Sequence, residues 1–122
     1  MRGEERALGY ARADTDGELE EEKAAIRAAC EARGWRLLRL EEDEPGSRLG
    51  RARALAAVRS GEAGALVVAS LSSLAASLAA AAKLLARARE EGWNLLALDL
   101  GLDLRSAEGK EMAERFLFVA RW

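Results

Sequence analysis

Histidine is absent from this sequence of 122 residues, and cysteine and proline occur once each. Without histidine, neither a Ser-His-Asp triad nor a histidine-based zinc site can be built. The one cysteine, Cys30, has no partner for an internal disulfide bond. No apolar run reaches the roughly 18 residues of a membrane span, and no signal-peptide core follows the charged start. These absences predict a cytoplasmic protein without a membrane segment, and we expect no cofactor and no metal.

The residues that are present suit a globular domain. Apolar residues make up 50% of the chain and charged residues 33%, which is ordinary for such a domain. The length predicts a single domain over residues 1–122. The formal net charge of −2 argues against strong autonomous DNA binding, because phosphate neutralisation needs a basic surface. A local basic cleft remains compatible with this charge.

Short apolar runs alternate with segments of helical period along the chain. We predict strands at 7–11, 35–40, 65–69 and 94–98, and helices at 19–33, 51–60, 78–91 and 108–122. This alternation predicts a three-layer α/β/α domain, with helices on both faces of a four- to five-stranded, mainly parallel sheet. Ligands of such sheets bind beyond the carboxyl ends of the strands. Here those ends are 12–15, 41–48, 70–73 and 99–103.

Five short motifs follow one another in the order seen in one known family. The first is Gly-Tyr-Ala-Arg-Ala-Asp-Thr at 9–15, and the others are Leu-Glu-Glu-Glu at 19–22, Arg-Leu-Gly at 48–50, Leu-Val-Val-Ala at 66–69, and Asp103 with Gly109-Lys110. Over roughly residues 7–122 the sequence resembles the catalytic domain of the serine recombinases (resolvases and invertases). The resemblance implies a resolvase-like fold, and a family role in DNA cleavage and strand exchange.

The resemblance also implies that the catalytic machinery is damaged. In the family a serine attacks a DNA phosphodiester and forms a phosphoserine link, and Asp14 stands at that serine's position. The segment 70–77 replaces a lysine, an aspartate and two arginines of the family with small residues. Losing guanidinium groups removes bidentate phosphate contacts. We therefore expect a vestigial site and no DNA cleavage; its residues are Tyr10, Arg12, Asp14, Arg48, Ser70, Ser72, Ser73 and Ala76.

Several of these residues also have structural explanations. Tyr10 fits a packed aromatic residue, and Asp14 fits either a turn cap or an internal counterion of Arg12 or Arg48. Cys30 is expected in the core. We expect Ser72, Ser73 and Ser77 to cap helices, because no base is present to activate them. The acidic run 41–44 is expected to be a solvated loop.

The last predicted helix carries more apolar surface than one face can bury. Met112, Phe116 and Val119 form one stripe, and Phe118 and Trp122 extend the apolar area. A second stripe consists of Ala113, Leu117 and Ala120. Such an excess predicts burial against a partner. In the serine recombinases, which this sequence resembles, the corresponding helix mediates dimerisation. The resemblance therefore implies a homodimer through this helix. The family's DNA-binding module is expected to be absent, which leaves weak DNA binding at most.

Two other functions remain open at this point. An active recombinase subunit would need a substitute nucleophile, Ser47 or Ser72, close to Arg12. A phosphoacceptor domain would use Asp14, and it would need a pair of metal-binding carboxylates and a lysine. Asp16, Asp43 and Asp99 are available for that pair, but no lysine lies at a predicted strand end.

Overall fold

A computed structural model describes residues 5–120 and shows strands and helices in alternation. The strands are β1 (Arg6–Arg12), β2 (Arg36–Asp43), β3 (Ala65–Val68), β4 (Asn94–Ala97) and β5 (Leu102–Asp103). The helices are α1 (Asp16–Arg33), α2 (Leu49–Arg59), α3 (Leu78–Glu91) and α4 (Ala107–Ala120). Two short 3-10 turns, Leu71–Ser73 and Leu98–Leu100, follow β3 and β4. No helix among residues 5–120 is long and apolar enough to cross a membrane.

The five strands form one sheet in the order β2-β1-β3-β4-β5. β1 pairs in parallel with β2 and β3, and β3 pairs in parallel with β4. Only the short β5 is antiparallel, and it follows a reversal at Gly101, whose φ of 60° suits glycine. The α/β prediction of a mainly parallel sheet is confirmed. The segment of β5 was expected to be part of a loop.

The helices are distributed unequally over the two faces of the sheet. Ile26 and Cys30 of α1 pack on one face, so Cys30 is a core residue as expected. The other three helices share the opposite face, where Leu85 and Ala113 join the larger core. All four residues of β3 are buried, as a parallel strand covered on both sides requires.

Local signals set most of the helix ends. Gly34 and Gly92 end α1 and α3 in the left-handed conformation, and the Ser77 hydroxyl accepts a hydrogen bond from the Ala80 amide at the start of α3. The acidic segment differs from its prediction. β2 runs through it to Asp43, which is buried, and is not followed by a solvated loop from residue 41. α2 then begins at Leu49, two residues before the predicted start.

Candidate functional site

A pocket of about 230 Å³ lies at the carboxyl ends of β1 and β3. The first strand contributes Arg12 and the residues after it, and the 3-10 turn after β3 contributes three serines. The lining residues are Arg12, Ala13, Asp14, Glu18, Glu22, Ser70, Ser72 and Ser73. The structure therefore brings five residues of the expected vestigial site into one pocket, while Tyr10, Arg48 and Ala76 lie outside its lining. Its charged lining consists of three carboxylates and one guanidinium.

Arg12 is held in this pocket mainly through its main chain. Its amide donates to Glu22 at 3.3 Å, and its carbonyl accepts from the Ser73 hydroxyl at 3.3 Å. The side-chain Nε is buried, and it has no hydrogen-bond partner among residues 5–120. Because a buried donor without a partner costs roughly 1–3 kcal/mol, the Nε–H group is left for an acceptor from outside residues 5–120.

Asp14 does not act as that acceptor. Its side chain is exposed in the turn between β1 and α1. Within the described part of the chain it forms no ion pair with Arg12 or Arg48. Asp14 therefore does not pair with either guanidinium as the expected internal counterion, although it lines the same pocket as Arg12. The cap of α1 is the neighbouring Thr15, whose hydroxyl accepts from the Glu18 amide.

Glu22 is the carboxylate most closely associated with Arg12. It is half-buried and accepts the Arg12 amide hydrogen bond. Partial burial raises the pKa of Glu22, although that hydrogen bond acts in the opposite direction. The sequence analysis included Glu22 only as the last residue of the Leu-Glu-Glu-Glu motif at 19–22. In the structure Glu22 adds a negative charge to the pocket lining. A bound phosphate would be repelled by this charge, whereas a neutral or cationic group would not repel it.

Tyr10 is fully buried and donates a hydrogen bond of 2.7 Å from its hydroxyl to Asp43. Burial and the adjacent Asp43 carboxylate raise the pKa of Tyr10 to about 12, while the charge of Arg48 acts against them. A phenol with this pKa stays protonated at neutral pH and faces Asp43, away from the pocket lining. The expectation of a packed aromatic residue is confirmed.

Asp43 has a structural role that the sequence did not predict. Its carboxylate accepts from the amides of Gly50 and Arg51 at 2.7 and 2.9 Å, and from the Ser47 hydroxyl at 3.2 Å. It thus caps the start of α2 from a neighbouring strand. Burial alone would raise the pKa of Asp43, but the hydrogen bond from Tyr10 and those from the α2 end lower it. The one sequence signal for this role is the spacing of Asp43 and Gly50, because Asp43 lies seven residues before this glycine in the first turn of α2.

Two arginines near the site are bound to main-chain carbonyl groups. Arg48 donates to the Ser73 carbonyl at 2.9 Å, and Arg51 donates to the Leu74 carbonyl at 2.7 Å. Both bonds join the start of α2 to the turn after β3. Arg48, the first residue of the Arg-Leu-Gly motif, therefore holds this turn in place and does not line the pocket around Arg12.

The serines of the turn bond to one another and to the backbone. The hydroxyls of Ser70 and Ser72 lie 2.7 Å apart, and buried Ser73 donates to Arg12. Of the three serines expected as helix caps, only Ser77 caps a helix. Among residues 5–120, neither Ser70 nor Ser72 forms a hydrogen bond with a carboxylate, so neither hydroxyl is paired with a general base.

The structure also bears on the two rival functions. Ser47 is directed to Asp43, whereas Ser72 shares the pocket with Arg12. For a phosphoacceptor, Asp43 is occupied by the α2 end, and Asp99 accepts from the Leu71 amide. Among residues 5–120, no group of three acidic or thiol side chains is placed to hold a metal ion.

The expected self-association surface is only partly exposed. Met112 and Phe116 are half-buried against the chain's own core. Val119 and Phe118 are 53% and 62% exposed. Trp122 lies outside the described residues.

Comparison with known proteins places this geometry in context. The sequence matches the family model described as "Resolvase, N terminal domain" over residues 7–122, whereas no curated protein sequence matches it.

Three solved structures share the fold. The N-terminal catalytic domain of TP901-1 integrase superposes with a TM-score of 0.84 at 19% identity, over 95% of this chain and 94% of that one. A resolvase family site-specific recombinase from Streptococcus pneumoniae gives 0.82 at 24% identity, over 97% and 87%. The C-terminal catalytic domain of ISC1926 TnpA, an IS607-like serine recombinase, gives 0.68 at 13% identity, over 96% and 99%.

Proposed function

Because this chain belongs to the resolvase N-terminal domain family, we propose that it is a serine recombinase catalytic domain that no longer cleaves DNA and acts by association with itself or a partner. The observation that carries this proposal is the composition of the pocket, whose lining includes three acidic residues and a single arginine. A phosphodiester brought there meets net negative charge, since one arginine offsets only one of the three carboxylates.

The position of the nucleophile supports the same proposal. Asp14 replaces the serine, and its carboxylate is repelled by the phosphate that it would have to attack. An acyl phosphate formed by Asp14 would hydrolyse readily and would prevent religation. Phosphoryl transfer depends mainly on positioning and charge stabilisation. Each lost transition-state contact typically costs roughly 10²–10³ in rate, so loss of the serine and two arginines together leaves no useful strand exchange.

The association part of the proposal rests on α4. Its end exposes Val119 and Phe118, and exposed apolar side chains grouped on one helix are typical of contact surfaces. A homodimer through α4 is the arrangement that we propose first. DNA binding, if it occurs, is expected to be weak and suppressed by salt, because the net charge is −2.

A covalent-adduct assay tests the loss of cleavage. The purified chain is incubated with a labelled pool of randomised duplex DNA, denatured in detergent, and examined for protein that retains label; an active serine recombinase serves as the positive control. We expect no adduct from the wild type. We also expect none from Asp14→Ser, because Glu18 and Glu22 still line the pocket and the two arginines of the family are still absent.

The assay also distinguishes the rival nucleophile. Ser72 is the hydroxyl that shares the pocket with Arg12, so Ser72→Ala is the matched variant. An adduct in the wild type that Ser72→Ala abolishes would show an active recombinase with a substitute nucleophile. An adduct from Asp14→Ser alone would show that the rest of the site still supports cleavage. Either result contradicts the proposal.

A further inference from the structure

A second groove, of about 340 Å³, lies between α2 and α3 on the face of the sheet opposite α1. Its lining residues are Arg51, Leu55, Arg59, Ala80, Lys83, Leu84 and Arg87. Four of these residues are cationic and none is acidic. The groove shares no lining residue with the pocket around Arg12. Its function is therefore independent of whether that pocket cleaves DNA.

The positive charge of this groove is only partly neutralised by the protein. Arg51 donates to the Leu74 carbonyl, and Arg59 lies 3.3 Å from Glu91 at one end. Lys83 and Arg87 are exposed and form no hydrogen bond or ion pair with any described residue. Arg87 acts at longer range, as a minor contributor to the lowered pKa of Glu91 after the hydrogen bond from Trp93. Two cations thus remain available to an external anion.

The floor of the groove is apolar. Leu84 is 7% exposed, and Leu55 and Ala80 are partly buried hydrophobic residues packed against the main core. On α3, the lining residues are spaced as Ala80, Lys83, Leu84 and Arg87, so they share one face of the helix. The two helices therefore present an apolar floor with cationic side chains beside it.

We propose that this groove binds an acidic amphipathic helix of a partner protein. A helix with leucine on one face and glutamate beside it matches both parts of the lining, because the apolar side chains meet Leu55 and Leu84 while the carboxylates meet Lys83 and Arg87. The lining residues extend from Arg51 to Arg59 on α2 and from Ala80 to Arg87 on α3, which is about 10–12 Å along each helix. This length accommodates roughly two turns of a bound helix.

The lining favours a peptide over nucleic acid. Nucleic acid would place phosphates against the cations, but it offers little apolar surface to cover the leucines. Proteins that bind single strands stack bases on aromatic side chains, and the groove lining contains no aromatic residue. The chain also has a formal net charge of −2, so a local group of four cations gives an acidic partner one preferred direction of approach.

Fluorescence anisotropy with defined probes tests this proposal. The main probe is a labelled peptide of about 16 residues with leucine at every third or fourth position and glutamate and alanine between. The second probe is a scrambled peptide of identical composition, and the third is a labelled DNA duplex. The test variant is Lys83→Glu with Arg87→Glu. The control variant is Arg27→Glu with Lys110→Glu, which makes the same charge change at exposed positions on α1 and α4.

We expect the amphipathic peptide to bind, and the test variant to weaken its binding by at least about tenfold, since two ion pairs become two repulsions. The control variant should bind within about twofold of the wild type, and Lys83→Gln with Arg87→Gln should give an intermediate loss. The scrambled peptide should bind more weakly than the main probe. Absent peptide binding, equal binding of both peptides, or DNA binding that alone responds to the test variant would each overturn the proposal.

Discussion

The Tyr10–Asp43 pair connects two strands to the start of α2. Asp43 accepts hydrogen bonds from one phenol, one serine and two helix amides, so its oxygens have little remaining capacity. Hydrogen bonds to a charged group contribute about 1.5–3 kcal/mol each. In this domain the pair fixes the start of α2 beside the pocket, and neither residue is part of the pocket lining.

Replacement of Asp43 by asparagine is expected to cost about 2 kcal/mol of unfolding free energy at neutral pH, because an amide meets two helix N–H donors with one oxygen. The pKa of Asp43 is lower in the folded protein than in the unfolded chain, where it is about 3.9. Asp43 therefore stabilises the fold fully above the unfolded pKa, and this stabilisation is lost as the pH falls through the folded pKa. Urea denaturation across acidic pH should therefore show a smaller acid loss in Asp43→Asn. Glu44→Gln, at an exposed neighbour, is the control; equal losses in both variants would contradict this role.

Tyr10 is the chain's single tyrosine, so an absorbance titration of tyrosinate reports on it alone. We expect a midpoint at about 12 in the folded protein, against about 10 in urea. Since the folded pKa is the higher one, the stabilising contribution of Tyr10 is complete below pH of about 10 and is lost as the pH rises through the folded value. Asp43→Asn should lower the folded midpoint. A midpoint near 10 in protein that circular dichroism shows to be folded would refute the buried hydrogen bond.

At the scale of elements, the start of α4 is fixed by close contacts. The Ser106 hydroxyl donates to the Asp103 carbonyl at 2.7 Å and accepts from the Gly109 amide at 2.8 Å. A Cβ added at Gly109 would collide with the main-chain carbonyl of Asp103. The glycine therefore allows α4 to follow directly from β5, and it sets the direction in which the helix leaves the sheet.

Gly109→Ala is expected to destabilise the domain by about 2–3 kcal/mol, because backbone must move to admit the methyl group. Gly17→Ala is the matched control: it lies in the first turn of α1 with no atom near its Cβ position, and it should gain about 0.5–1 kcal/mol. Thermal and urea unfolding of the two variants measure the difference. Similar effects of the same sign would refute the close contact at Gly109.

The sequence predicted some elements to the residue and missed others for physical reasons. α3 was predicted at 78–91 because Ser77 and Gly92 mark its two ends. β2 was predicted too short, since four consecutive acidic residues resemble a solvated loop, and only tertiary contacts with α2 bury Asp43. β5 has two residues and leaves no periodic signal. For the site, strand ends correctly grouped Arg12 with Ser70, Ser72 and Ser73, but the exposure of Asp14 depends on a turn that the pattern did not specify.

At the scale of the whole molecule, the exposed end of α4 is the basis of the proposed homodimer. Phe116→Glu would confuse the test, because Phe116 packs against the chain's own core. Val119→Glu is the better variant, with Leu49→Glu as a control at a leucine that is 70% exposed elsewhere. By sedimentation at tens of micromolar we expect a wild-type dimer, a monomeric Val119→Glu and a dimeric Leu49→Glu. A monomeric wild type, or equal effects of the two variants, would refute association through α4.

β1 lies inside the sheet, and this position has a consequence for Arg12. β1 is hydrogen-bonded on both sides, to β2 and to β3, and the side chains of Leu8 and Tyr10 are fully buried. Amides in such a strand exchange with solvent deuterium only through the largest openings of a domain. Arg12 ends this strand, so we expect the strand that carries Arg12 to be among the slowest-exchanging parts of the domain, whatever chemistry its pocket performs.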